Sequence, residues 1–126
     1  MKLGLLTSAL PALSLESTAA WAGENGFEML EVACWPTAGG EHRRYAGVSH
    51  LDVRKLDVEK VLGTLEPYGL AISSLAYYPN NLHPTLSERK AANDHLKHVI
   101  DAASRLGVPI VGTFVGRDKT KNIVDN

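Results

Sequence analysis

Gly26-Phe27-Glu28-Met29-Leu30-Glu31-Val32-Ala33-Cys34-Trp35 is the stretch that decides the fold. Phe27, Met29, Leu30, Val32, Ala33 and Cys34 form a near-continuous apolar run, not the strict alternation of a strand with one wet face. Such runs are typical of parallel strands buried on both sides. Asn25-Gly26 ahead of the run suits the left-handed end of a helix. Pro36 and Gly39-Gly40 behind it stop the strand. The stretch is therefore entered from a helix and left into a loop.

The same rhythm extends in both directions. Residues 2–7 are a short apolar run and predict a first strand. Ser14 is placed to cap a helix whose Leu15, Ala19 and Ala22 share one face, and Glu16 adds a favourable charge in its first turn. Downstream, residues 37–56 are of mixed polarity, a loop length that is uncommon in a compact domain and often functional. Asp57 can cap a second helix bearing Val58, Val61, Leu62 and Leu65, which Pro67 and Gly69 terminate. Residues 70–78 predict strand three, broken by Pro79-Asn80-Asn81, and Pro84 keeps His83 out of helical backbone. Ser87 is the expected cap of a third helix with an apolar stripe of Ala92, Leu96, Val99, Ile100, Ala103 and Leu106. Gly107 ends that helix, residues 108–115 predict strand four, and residues 119–126 look like the approach to another helix. The order is βαβαβαβ, with right-handed crossovers as the default. An open doubly wound sheet and part of a (β/α)8 barrel both fit.

Composition narrows the class. With 126 residues, 44% hydrophobic and 21% charged, the chain is expected to be one ordinary domain over residues 1–126 rather than a disordered segment. No apolar run reaches the roughly 18–20 residues of a membrane span, so no membrane partner is expected. A net charge of -1 offers no general attraction for nucleic acid. The single cysteine, Cys34, excludes an internal disulfide framework and reads as an inert buried thiol. Residues 3–10 could open a secretory signal, but Thr7, Ser8, Pro11 and Glu16 interrupt the pattern. The expected location is cytoplasmic.

Motifs separate the two architectures. After strand one stands Thr7-Ser8-Ala9-Leu10-Pro11, without the glycines of a dinucleotide turn. Neither a Walker A loop nor a G-x-S-x-G elbow occurs. Polar and aromatic residues instead collect at the C-terminal ends of strands two, three and four, where barrel enzymes gather their sites.

At this point the residues resemble a known family. The opening Lys2-Leu3-Gly4-Leu5-Leu6-Thr7, the stretch 26–35, the turn Tyr77-Tyr78-Pro79-Asn80-Asn81-Leu82-His83-Pro84 and the strand Leu106-Gly107-Val108-Pro109-Ile110-Val111-Gly112-Thr113-Phe114-Val115-Gly116 are similar to sugar phosphate isomerases/epimerases, which are xylose-isomerase-like TIM barrels. The resemblance implies a (β/α)8 barrel of roughly 250 residues, of which four strands and three helices are here, a half barrel. It implies proton transfer next to a sugar carbonyl through an enediolate, with a divalent metal of the manganese or magnesium kind in the complete enzyme. The metal ligands and catalytic carboxylates it implies fall on later strands, so no metal ligand or catalytic residue is assigned within residues 1–126. A keto-inositol dehydratase-type lyase and a non-catalytic half-barrel or binding module are the alternatives. An apurinic-site endonuclease fits less well, because strand four ends without a histidine. The expected partner is a small sugar or sugar phosphate, with no nucleic acid. Exposed half-barrel edges make a homo-oligomer an expectation too.

Six residues are candidate substrate contacts. Glu31 can hydrogen-bond a sugar hydroxyl, or pair with a neighbouring strand or with Arg43 or Arg44. Trp35 can wall the C–H face of a sugar, or pack beneath the loop. Tyr77 and Tyr78 alternate, so at most one faces the barrel mouth, and Tyr78 is chosen. Asn81 can contact hydroxyls, although Pro-Asn-Asn is also a good turn. His83 can contact substrate or, less readily, a metal. Arg117 is a further possible anion contact. His42-Arg43-Arg44 suits phosphate or an exposed basic turn, and His50-Leu51-Asp52 a weak metal pair or a solvated loop. His95 and His98 read as surface or packing residues of helix three.

Overall fold

The computed structural model describes residues 1–37 and 47–125. Four strands, β1 (Gly4–Leu6), β2 (Met29–Ala33), β3 (Ala71–Ala76) and β4 (Val111–Gly112), form one sheet in the order β1-β2-β3-β4. Every neighbouring pair is parallel. Three helices, α1 (Leu15–Glu24), α2 (Val58–Leu65) and α3 (Leu86–Leu106), connect them. This is the strand–helix alternation of a partial TIM barrel.

Local chemistry sets most boundaries. Ser14 Oγ accepts from the Ser17 amide at 3.0 Å, capping α1. The Asn25 side chain donates to the Trp21 carbonyl at 2.8 Å, and Gly26 turns away at φ 79°. Asp57 Oδ1 accepts from the Lys60 amide at 3.0 Å and opens α2. A 3-10 turn at Glu66–Tyr68 and left-handed Gly69 lead into β3.

The third helix differs from expectation at its start. Its N-cap is Thr85, not Ser87. The Thr85 hydroxyl makes no capping bond, while its amide donates to His83 Nδ1 at 3.1 Å. The helix thus opens two residues before Ser87, with the Arg89 amide donating to the Thr85 carbonyl at 3.0 Å. The stripe is also rotated: His95 and Ala102 are buried, while Ile100 is 52% exposed.

Strands are shorter than their apolar runs. The run through 108–115 gives only two ladder residues in β4, because β3 pairs one edge and no described strand pairs the other. The long 37–56 segment is not a solvated loop where it is described. Val48, Leu51 and Val53 are buried, Ser49 bridges Cys34, and a 3-10 turn spans Val53–Lys55.

The core lies on one side of the sheet. Leu30, Val32, Leu75 and Tyr77 meet Ala19, Ala22, Val61, Leu65, Val99 and Leu106 from the helices. Burial of such side chains is worth about 1.5–3 kcal/mol each. Side chains alternate along a strand, so Glu31, Ala33, Trp35, Ser74, Ala76 and Tyr78 take the other face, which in a barrel is the lumen. A register shift between Leu30 and Glu31 puts Glu31 beside Ser74 and Ala33 beside Ala76. Continued past the ladder, that register brings Trp35, Tyr78 and Phe114 abreast. Among the described residues, no helix is long and apolar enough to cross a membrane.

Candidate functional site

Glu31 stands on the lumen side of β2 and Tyr78 just beyond β3. The Tyr78 hydroxyl donates to Glu31 Oε1. Burial, then the hydrogen bond and charge of Glu31, push the Tyr78 phenol up to about 12. The phenol therefore stays a proton donor at neutral pH, and the carboxylate keeps an oriented oxygen. Glu31 thus pairs with the neighbouring strand, as the sequence allowed. Its alternative partners Arg43 and Arg44 lie outside the described residues, as does His42.

Strand four makes room for this pair. A Cβ on Gly112 would meet the Tyr78 hydroxyl and would sit 3.0 Å from Glu31 Oε1. Only a residue without a side chain leaves the two groups laid across β4. Aromatic rings flank them. Tyr78 lies 6.0 Å from Trp35 and 4.8 Å from Phe114, centroid to centroid. Trp35 is half-buried and Phe114 is 60% exposed. Phe114 escaped the sequence reading, although alternation from Gly112 would have placed it beside Tyr78.

The two asparagines knit the strand ends together. Asn80 Oδ1 accepts from the amides of Arg117 at 2.9 Å and Leu82 at 3.1 Å, and its Nδ2 donates to the Arg117 carbonyl at 2.8 Å. Gly116, at φ 77°, passes so close that a Cβ would strike the Asn80 side chain. Asn81 Nδ2 donates to Thr113 Oγ1 at 3.2 Å and to the Phe114 carbonyl at 2.5 Å. Asn93 of α3 in turn donates to the Asn81 carbonyl at 3.1 Å. The structure thus commits the Asn81 amide to the chain that carries Phe114. Arg117 is exposed, and its backbone rather than its guanidinium makes the contacts.

His83 is held at both ring nitrogens. Nδ1 accepts from Thr85, and Nε2 lies 3.1 Å from the Glu88 carboxylate. This fixes the proton on Nε2 in the neutral ring. His50 and Asp52 do not converge: His50 Nε2 contacts the Leu13 carbonyl at 3.0 Å, while Asp52 Oδ1 caps the Arg54 amide at 3.0 Å.

His95 is closer to the strand ends than the sequence suggested. It is 4% exposed, stacks edge-on against Tyr77 at 4.7 Å, and contacts the Cys34 carbonyl through Nε2 at 2.7 Å. Burial holds its pKa below the ordinary value. Burial also pushes the Cys34 thiol up to about 12, which suits an unreactive thiol.

Among the described residues, no three histidine, cysteine or acidic side chains cluster as a metal site. The groups present do not form a donor set for the metal that the resemblance implies, and no chemical step is assigned to one here. A groove of about 440 Å³ opens at the opposite end of β3, lined by Leu62, Ile72 and Val108 among others. Glu66 is its one titratable residue, so the polar end of the sheet is the functional candidate.

Four parallel strands backed by helices, with the polar groups at their C-terminal ends, define a TIM-barrel protein. The family of xylose isomerase-like TIM barrels matches residues 19–125, and the chain belongs to it. Among solved structures, it is similar to a sugar phosphate isomerase/epimerase from Parabacteroides distasonis, at 20% identity and a TM-score of 0.57, covering 92% of this chain and 40% of that one. It is also similar to a xylose isomerase domain-containing protein from Salmonella typhimurium, at 21% identity and a TM-score of 0.56, covering 85% and 34%. A third is the probable 3-DHS dehydratase AsbF of petrobactin synthesis from Bacillus anthracis, at 20% identity and a TM-score of 0.58, covering 92% and 39%. At these identities the likeness establishes the fold. The chain spans 34–40% of the length of these structures. No curated protein matches the sequence.

Proposed function

We propose that residues 1–126 supply the substrate-side wall of a sugar or sugar-phosphate isomerase or epimerase. One observation carries the reading. A carboxylate, Glu31, is oriented by a tyrosine and flanked by Trp35 and Phe114 at the C-terminal ends of adjacent parallel strands. Carboxylates accept from sugar hydroxyls, and aromatic faces cover sugar C–H surface. In this reading Asn80 and Asn81 position the wall, and His83 ties the loop after β3 to α3. The metal and the groups that move the substrate proton lie outside the described residues.

The test has two parts. Saturation-transfer NMR on the chain with free ketoses should show contact through the sugar C–H groups, and Trp35→Leu should abolish it. No transfer from any sugar in the panel would overturn the binding role. The same samples in D2O with Mn2+ should show no carbon-bound deuterium and no loss of water. Deuterium incorporation by this chain would move proton transfer into the described half, and water loss would favour the lyase.

A further inference from the structure

We infer that the wall of Glu31, Trp35, Tyr78 and Phe114 receives the uncharged, hydroxylated end of a sugar and turns a phosphate group away. The inference rests on the proposed sugar-binding role and adds the charge class of the ligand at this subsite.

The first ground is the donor inventory. Glu31 Oε1 already accepts from Tyr78, and no described side chain binds Oε2. A carboxylate is an acceptor only, so it needs a ligand that donates. Sugar hydroxyls donate, whereas a phosphate dianion offers acceptors and like charge. The one hydroxyl proton of Tyr78 is committed to Glu31. Among the described residues, His83 pairs with Glu88 and Lys97 with Asp94, and none of the described cations pairs with Glu31; Arg43 and Arg44 lie outside the described residues.

The second ground is the state of the backbone amides. Barrels commonly bind phosphate through free N–H groups at loops and helix starts. Here several of the loop amides are occupied, while those that open α3 share their turn with Glu88. The Cys34 and Tyr77 amides donate to the Ala76 and Gly112 carbonyls at 2.9 and 3.0 Å. The Leu82 and Arg117 amides are taken by Asn80 Oδ1, and that of Thr85 by His83 Nδ1. The first turn of α3 carries Glu88, an acidic side chain where an anion would otherwise be favoured. At Glu31 and at the first turn of α3, this end of the chain thus presents carboxylates where a phosphate would meet like charge.

The experiment is a titration of the 15N-labelled full chain with D-fructose and with D-fructose 6-phosphate. Fructose should shift the amides around 31, 35, 78 and 114, with the phosphate ester at least about tenfold weaker there. Glu31→Gln should narrow that gap from both sides, strengthening the ester as the like charge is removed and weakening fructose as a hydroxyl acceptor is lost. Should that variant lose its folded spectrum, added salt on the wild-type chain supplies the same test. Screening should narrow the gap and leave fructose unchanged. Ester binding as tight as fructose at these residues, or a gap that neither change narrows, overturns the inference while leaving the sugar-binding role standing. No shift from either compound overturns both.

Discussion

The two faces of this sheet come from the same strands and obey different rules. On the helix side, Leu30, Val32 and Leu75 are fully buried in apolar contact. On the lumen side, one residue away, Glu31 and Tyr78 are half-buried and bonded to each other. Beyond the ladder the contrast persists, with Tyr77 in the core and Tyr78 on the wall. The difference separates stability from site at a spacing of one residue. A substitution on one face should be read out by unfolding, and on the other by ligand contact.

The largest expected effect tests the helix side. Leu30→Ala removes a fully buried side chain and should cost about 2–5 kcal/mol, measured by urea unfolding. Glu31→Gln, at the adjacent position, keeps an oxygen for Tyr78 to donate to and should cost under about 1 kcal/mol. If the two cost the same, the faces are not divided as described.

Next in size is the response to acid, which joins the faces through α3. His95 contacts the Cys34 carbonyl through Nε2, and its buried Nδ1 has no partner. A second proton would have to enter at that buried nitrogen. Burial lowers the pKa of both His95 and His50 from the ordinary value of 6.5. Above that value both rings are neutral whether the chain is folded or unfolded, and stability is flat. Below it the unfolded chain takes protons that the fold resists, so stability falls as the pH drops toward the folded values. Urea midpoints between pH 7.5 and 5 should decline. His95→Gln, which keeps a donor for Cys34, should reduce the slope.

Asn80→Ala tests how the lumen wall is held. It removes three hydrogen bonds, two between the loops after β3 and β4 and one within the loop after β3, at exposed or half-buried positions. A loss of about 1 kcal/mol is expected. Hydrogen exchange should accelerate at the Arg117 and Leu82 amides and stay unchanged in β2. Acceleration spread evenly over the sheet would mean that Asn80 supports the core rather than the wall.

Most of the helix side was legible in the residues. Ser14, Asp57, Gly69 and Gly107 mark helix ends because caps and left-handed turns are decided locally. The parallel sheet followed from apolar runs interrupted by helices. Tertiary context decided what remained. Ser87 has the chemistry of a cap, but the helix opens earlier, at Thr85, whose carbonyl accepts from the Arg89 amide. His95 is polar by type, and only the fold shows the carbonyl that lets it be buried. At the site, Glu31, Trp35 and Tyr78 are candidates from their places at the strand ends together with the family resemblance. The engagement of Asn81 with strand four and the arrival of Phe114 beside Tyr78 depend on the register of β3 against β4, which no single segment contains.

The smallest expected change in stability belongs to the position that divides the faces most sharply. Gly112→Ala puts a methyl group where the Tyr78 hydroxyl lies and close to Glu31 Oε1. The tyrosine ring end can swing away, and alanine restricts the unfolded chain more than glycine, so unfolding should stay within about 1 kcal/mol of the parent. The pair should nonetheless part. Freed from Glu31, the Tyr78 phenol should titrate below its value of about 12 and closer to the ordinary 10, followed by ultraviolet absorbance. Fructose-induced shifts around 31 and 78 should weaken with it. A normal Tyr78 titration together with intact ligand shifts would show that the pair is incidental to the wall. An unchanged titration near 12 would show that β4 yields in place of the tyrosine, leaving Glu31 and Tyr78 joined.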